Sequence, residues 1–485
     1  MATSAARAVG LAPARFRRAH AQSSVVVRGF ALERFRPVQV QRHIVERALA
    51  FACFTVLLTA NVTFFMNAGP VPMHSAVSAA MLVLCATVFP NDAYEVLKRN
   101  VLIIVLAGGL ALQGTLVSLV NGASPRDIVQ AVMEVHIQAA IVLVAAATLA
   151  QVCGARACVF AIVSIVGVSA AVAVLQMVHI DLGWALRKAV GPLAMDDVAD
   201  KIAERRPAGL AYSPIQLATH VCLAFAAYTA VRDKRRSLAG RNNSADPAIL
   251  AALFFFFITC FASGTRAPIL GGFIFLALYT IFRRGSWLPL MLMLGGLVVY
   301  MVWPFIMEAI QSNAPRVARV DDTSAATRVV FAYYGMRLFI DNPLGYGLTF
   351  DPTLLWHHYW RDLYLMNGAQ GAQVHPLHDY VLSMANTYGF GILLFTPLVA
   401  KLLRASAASL IFFVPYVIHI LFHNSGPFYN DMVLWFVVGA IAAVGTAGSR
   451  DPRPLVRIPM TRTAYLRSAI NRARGWRAPM SSRWN

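Results

Sequence analysis

Two kinds of side chain in this chain have chemistry to offer outside lipid. Single guanidinium groups stand beside apolar runs, and imidazoles gather at the end of a long polar stretch. His375 and His378 bracket Pro376 and Leu377, and Asp379 follows at once. An imidazole titrates near neutral pH, so it can take a proton from an attacking hydroxyl. His378 is the candidate general base, with His375 as the alternative. Arg266 stands in a tight turn, Ser263-Gly264-Thr265-Arg266-Ala267-Pro268, with no acid near it in sequence. Arg206 precedes Pro207-Ala208-Gly209, Arg328 follows Thr327, and Arg337 lies further along the same polar stretch. A guanidinium keeps its charge and presents a fork of donors that matches phosphate oxygens. Gathered together, these groups would hold a phosphorylated ligand beside a proton acceptor.

Each residue also has a plainer reading. Arg266 can snorkel to lipid headgroups. Arg206 has Asp196, Asp197, Asp200 and Glu204 for salt bridges, and Arg328 has Asp321 and Asp322. His378 can cap the helix that follows it, and His357 and His358 sit among interfacial aromatics. Paired histidines can bind a metal, but no carboxylate cluster completes such a site, so no metal and no cofactor is expected. Glu134, His136 and His220 fall within apolar runs, where ionisable groups are costly and often functional. His419 and His423 stand near the outer end of another run and are candidates for the same cavity.

The elements that must position these groups are membrane spans. Hydrophobic residues make up 58% of the chain and charged ones 13%, far from a soluble domain. Apolar runs near 47–67, 73–90, 100–120, 128–150, 156–178, 213–231, 248–263, 268–283, 287–309, 379–399, 406–423 and 429–448 read as about twelve spans. The net charge of +20 is not read as a nucleic-acid footprint, because the cations cluster between spans and at the two ends. With the N-terminus inside, Lys98, Arg99, Arg156, Arg232 to Arg236, Arg283, Arg284, Lys401 and Arg404 also fall inside. The long outer loops 179–212 and 310–378 escape that charge rule. Residues 1–46 and 449–485 are basic cytoplasmic tails around a transmembrane domain, 47–448. The Arg-rich start also has the look of a transit peptide. The six cysteines lie in or at the ends of apolar runs and form no disulfide or zinc pattern. Ser324 to Ile340 reads as a helix whose face carries Val329, Tyr333, Met336 and Ile340, ended by Pro343–Gly347. The aromatics of 352–364 are expected at the membrane interface.

Taken in order, these motifs resemble the O-antigen ligase and polysaccharide polymerase superfamily of bacterial inner-membrane proteins. The likeness rests on Arg206-Pro207-Ala208-Gly209 before a span and on Gly264-Thr265-Arg266 in an outer turn. Arg328 then heads a helix that runs to Asn342-Pro343-Leu344-Gly345-Tyr346-Gly347, and Gly389 follows His378 after eleven residues. It covers residues 205 to 395. The resemblance implies an all-α polytopic bundle of about twelve spans with a long, partly helical periplasmic loop. It also implies a metal-independent, inverting glycosyltransferase that moves an undecaprenyl-diphosphate-linked glycan to an acceptor hydroxyl. The acceptor would be lipid A-core or a growing glycan. His378 and Arg266 would be catalytic. Arg206, Arg328, Arg337, His375 and Asp379 would bind substrate. Expected partners are the lipid-linked donor, the acceptor and membrane lipids, and no nucleic acid. Asp379 departs from the family's usual amide or hydroxyl residue, and the glycine spacing after Gly389 is off by one.

Three alternatives follow from the same residues. The chain is a ligase of finished glycan, or a polymerase of lipid-linked repeat units. An anion transporter of bicarbonate type would need polar residues along a midplane path, and few are present. A non-catalytic scaffold of an export complex would need none of the motif side chains.

Overall fold

The computed structural model describes residues 36–63, 67–68, 71–190, 207–238, 246–282, 323–366, 369, 377, 379–396, 410–423, 426 and 431–450. Arg206, His375, His378, Asp321, Asp322, the run 287–309 and most of both tails lie outside them. The chain divides into units Met1–Val45 and Glu46–Asn485, and the fold below is that of the second, apart from the opening turns of α1.

Apolar sequence and helix coincide along the chain. The helices are α1 (Arg36–Thr63), α2 (Met73–Val88), α3 (Pro90–Val120), α4 (Pro125–Val132), α5 (Gln138–Cys153), α6 (Ala155–Val178) and α7 (Ile180–Val190). They continue as α8 (Pro214–Leu238), α9 (Pro247–Ala262), α10 (Arg266–Phe282), α11 (Thr323–Asp341), α12 (Tyr380–Tyr388), α13 (Val414–Ile420) and α14 (Val433–Arg450). A π-helical turn, Met133–Ile137, joins α4 to α5, so these run on as one 29-residue apolar helix. Starts follow local chemistry. Pro90, Pro125 and Pro247 open helices where an N–H would lack a partner anyway. Ser124 and Asp246 accept from the Asp127 and Ala248 N–H groups as N-caps. The turn between α1 and α2 is a two-residue antiparallel ladder, Asn67–Ala68 against Val71–Pro72.

Among the described residues, five helices are long and apolar enough to cross a bilayer, and six shorter apolar helices accompany them. The elements among the described residues are thus helical apart from that short ladder, with the apolar helices of a multi-pass membrane protein. Its centre is α8, with 89% of its most apolar window buried against 22–39% for the other four. A helix buried all round in a bundle is in protein contact on every face, not in lipid. Phe225 of α8 meets Phe256 of α9 and Phe275 of α10 with ring centroids 5.2 and 5.0 Å apart. Phe436 of α14 meets Phe54 of α1 edge-on at 5.3 Å.

Two features of the long loop go beyond the sequence reading. The face of α11 bearing Val329, Tyr333, Met336 and Ile340 is exposed, and the buried face holds Val330, Phe331, Tyr334 and Leu338. Both stripes have helical spacing, so periodicity does not choose between them. The choice comes from partners. Trp356 and Tyr359 of the 3-10 segment Pro352–Tyr359 pack edge-on against Tyr334 at 5.0 and 5.5 Å. Those aromatics are thus the buried core of a small cap, joined by Leu363, Ala369 and Leu377. The Tyr334 hydroxyl donates to the Pro352 carbonyl, and burial raises its pKa well above the usual phenol value.

Candidate active site at one end of the bundle

Helix ends meet at the mouth of α8. Gly209, at φ +59°, brings the Pro207–Leu210 turn against α6 so closely that a Cβ there would collide with the Ser169 carbonyl. Gln176 Oε1 accepts from the Ala208 and Gly209 N–H groups at 3.0 and 2.9 Å, and Ser169 Oγ from Leu210 N–H at 2.9 Å. The Arg187 Nε–H of α7 donates to the Ala211 carbonyl at 3.3 Å. The rim that follows Arg206 is therefore rigidly tied to α6 and α7.

Arg266 is the first residue of α10 and is half-buried. Its turn is closed by Gly264 at φ +66° and by the Ser263 hydroxyl, which donates to the Cys260 carbonyl at 3.0 Å. Helix α10 runs antiparallel to the segment carrying α13. Tyr279 and Phe275 lie against Phe412, and Gly271 lies against Pro415 and Ile418. That order carries the Arg266 end of α10 toward His419 and His423. The two imidazoles lie with centroids 4.5 Å apart, their planes tilted by 50°, and are buried. His419 Nε2 lies 2.9 Å from Thr219 Oγ1 and 3.3 Å from the Ile215 carbonyl of α8. The Thr219 hydroxyl spends its own proton on Ile215 O, so His419 Nε2 is the donor.

Arg328 of α11 lies close enough to bear electrostatically on His419. The chain after His378 arrives at the same place. Tyr380 N–H donates to the His423 carbonyl at 3.0 Å, and the Tyr380 ring fills the space where a Cβ on Gly426 would sit. Asp379 is the N-cap of α12, accepting from Leu382 N–H at 3.0 Å.

A clasp of glycines holds α11 to α12. Gly345 (φ +89°) and Gly389 (φ +56°) lie backbone to backbone. A Cβ on Gly345 would fall 2.6 Å from Gly389 N and Thr387 O, and one on Gly389 would strike the Pro343 carbonyl. Tyr346 N–H donates to Asn386 O at 2.7 Å, Gly347 N–H to Thr387 O at 3.0 Å, and Phe390 N–H to Pro343 O at 2.9 Å. Asn386 Nδ2 reaches back to Gly335 O of α11 at 2.9 Å. The Asn342–Gly347 motif and Gly389 thus form one structural unit that seats Arg328 and Asp379.

Arg266, Arg328 and Asp379 therefore come to one end of the bundle, around His419 and His423. Arg337 lies nine residues beyond Arg328 on α11 and pairs with Asp362 of the cap at 3.4 Å. Arg206, His375 and His378 lie outside the described residues, next to Pro207, Leu377 and Asp379. His136 pairs with the Tyr388 hydroxyl at 2.8 Å, and Glu134 with Gln130 at 2.9 Å. No cluster of three metal-ligating side chains occurs among the described residues. Sequence reasoning passed over Thr219, Gln176, Asn386 and Tyr380. Only Gln176 carried a signal, as an amide buried late in an apolar run that needs a polar partner.

No curated protein matches the chain. Residues 251–396 match the family model described as O-antigen ligase, a segment that contains Arg266, Arg328, His378 and both clasp glycines. Over that segment, which is less than half of the chain, the protein is similar to the O-antigen ligase family.

Proposed function

We propose that the chain transfers an undecaprenyl-diphosphate-linked glycan to an acceptor hydroxyl on the periplasmic side of the bacterial inner membrane. One observation carries this reading. Arg266 and Arg328, far apart in sequence, reach the same end of the bundle, where Asp379 begins the helix after His378. His378 takes the acceptor's proton. The freed oxygen attacks the anomeric carbon from the face opposite the diphosphate, and the bond from that carbon to the bridging oxygen breaks, its electron pair and the oxygen leaving with the diphosphate. Arg266, Arg328 and Arg206 offset the charge that grows there, with His375 and Arg337 holding the sugars. The step inverts the anomeric centre and needs no metal, because the guanidinium groups supply the positive charge. Holding two large substrates in line contributes as much as the proton transfer.

Ligase activity onto lipid A-core is the favoured form, and polymerisation of lipid-linked repeat units is the alternative within the same chemistry. Purified protein in vesicles, given isotope-labelled lipid-linked glycan and each acceptor in turn, tests both. Label on lipid A-core in the presence of EDTA is the expected result. Label only on longer lipid-linked glycan assigns the polymerase role, and no transfer to either acceptor refutes the proposal.

A further inference from the structure

The opposite end of the same helices has a second built site. Arg156 of α6 and Arg232, Arg235 and Arg236 of α8 line a cavity of about 390 Å³. Asp246, buried at the start of α9, answers two of them. Its carboxylate takes a bidentate pair from Arg232 and a contact of 2.8 Å from Arg236. Burial alone would raise that carboxyl, but these hydrogen bonds and the Ala248 N–H outweigh it and bring it down to about 2. Among the lining groups and this cap, four guanidinium charges face one carboxylate.

Tyr228 and the Arg156 stripe lead out of this cavity into an apolar cleft of about 720 Å³ between α6, α8 and α9. On α6 its wall passes from Val163 through Gly167 to Val174, and on α9 through Ala251, Phe255 and Ile258. These α6 positions follow Arg156 and Val159 along one face of the helix. From Val163 to Val174 the helix rises roughly 16 Å, about half of a roughly 30 Å hydrocarbon core. That length suits one acyl chain of one leaflet, and a polyprenyl tail is far longer. A Cβ on Gly167 would meet nothing within 4 Å, so the cleft is open there. The distribution of cations along the chain puts this end at the cytoplasmic surface, where anionic lipids are concentrated.

We infer that this composite binds one anionic diacyl phospholipid of the cytoplasmic leaflet. Its phosphate sits among Arg156, Arg235 and the Asp246-paired arginines, and one acyl chain lies in the α6–α8–α9 cleft. The inference rests on the charge register and the cavity pair, not on the transferase reading.

The test uses the full chain in neutral detergent micelles doped with phosphatidylglycerol or phosphatidylcholine, read by melting temperature and by lipid retained in native mass spectra. Phosphatidylglycerol should raise the melting temperature saturably and be retained at one per chain, while phosphatidylcholine should do neither. Arg156→Gln with Arg235→Gln, which spares the Asp246 pairs, should weaken the phosphatidylglycerol response about thirtyfold. Gly167→Leu should weaken it by filling the cleft without changing the melting temperature in phosphatidylcholine. Equal responses of the wild-type chain to both lipids would overturn the site. So would a full response in either variant. Stronger retention of undecaprenyl phosphate than of phosphatidylglycerol would overturn the phospholipid assignment.

Discussion

Arg266 owes its standing to position rather than to type. The chain is rich in arginine, but this one opens a helix in a turn closed by Gly264 and Ser263, directed toward His419 and His423 at the end of the facing α13 segment. A helix N-terminus and a guanidinium at one point both favour an anion. Arg266→Ala should lower transfer about a hundredfold or more. Arg266→Lys should recover only part of that, because an ammonium keeps the charge and loses the fork. Initial rates with labelled lipid-linked donor measure both, and unchanged rates would remove Arg266 from the site. Asp379 separates two roles. As the N-cap of α12 it contributes about 1 kcal/mol, which Asp379→Ala should lose and Asp379→Asn should keep. Melting temperatures report the cap. If Asp379→Asn keeps its melting temperature but loses transfer, the carboxylate acts on His378 as well.

At the scale of elements, the glycine clasp couples the loop to the bundle. Gly345 and Gly389 both have positive φ and leave no room for a Cβ. Gly345→Ala and Gly389→Ala should each cost more than about 2 kcal/mol and release α11 from α12. The check is a drop in melting temperature and faster proteolysis after Ile340, with Gly167→Ala as the control in open space. The α8–α9 connection is held by charge instead. Asp246 has a folded pKa of about 2 against an ordinary 3.8. Its stabilisation is therefore fully present above the ordinary value and is lost as the pH falls toward 2. Asp246→Ala should cost about 2 kcal/mol at neutral pH, since it strips hydrogen bonds from two arginines. The difference from wild type should shrink in acid. Thermal melts across pH 2 to 7 read this, and a constant difference would contradict the assignment.

For the molecule as a whole, the two ends of α8 carry different chemistry. One end gathers Arg266, Arg328, His419 and Asp379, and the other gathers Arg156, Arg232, Arg235 and Arg236. If the first end faces the periplasm, Leu354→Cys, exposed on the cap, should react with an impermeant maleimide in intact cells. Arg235→Cys should react only after the membrane is opened. The background is a chain with Cys53, Cys85, Cys153, Cys158, Cys222 and Cys260 replaced by alanine. The reverse pattern would place the candidate site in the cytoplasm and end the periplasmic reading.

Much of this protein is written locally. Among the described residues the apolar runs are helical, because a bilayer leaves the backbone little alternative, but α1 and α3 begin well before the expected 47 and 100, and the run 287–309 lies outside the described residues. The end of α11 at Asp341, before Asn342 and Pro343, was equally legible, since proline cannot continue a helix. What the sequence alone left open was every decision that needs a partner. Val329 and Val330 both belong to apolar stripes on α11, and the docking of Trp356 and Tyr359 on Tyr334 chose between them. The same aromatics suit a membrane interface by type and are a buried core by contact. Arg266 and Arg328 are sixty-two residues apart. Only the antiparallel seating of α10 on the α13 segment and the clasp of Gly345 on Gly389 bring them to one end. Span formation follows from the transfer energy of each segment by itself, whereas a site built from several helix ends exists only once side chains far apart in the chain have packed.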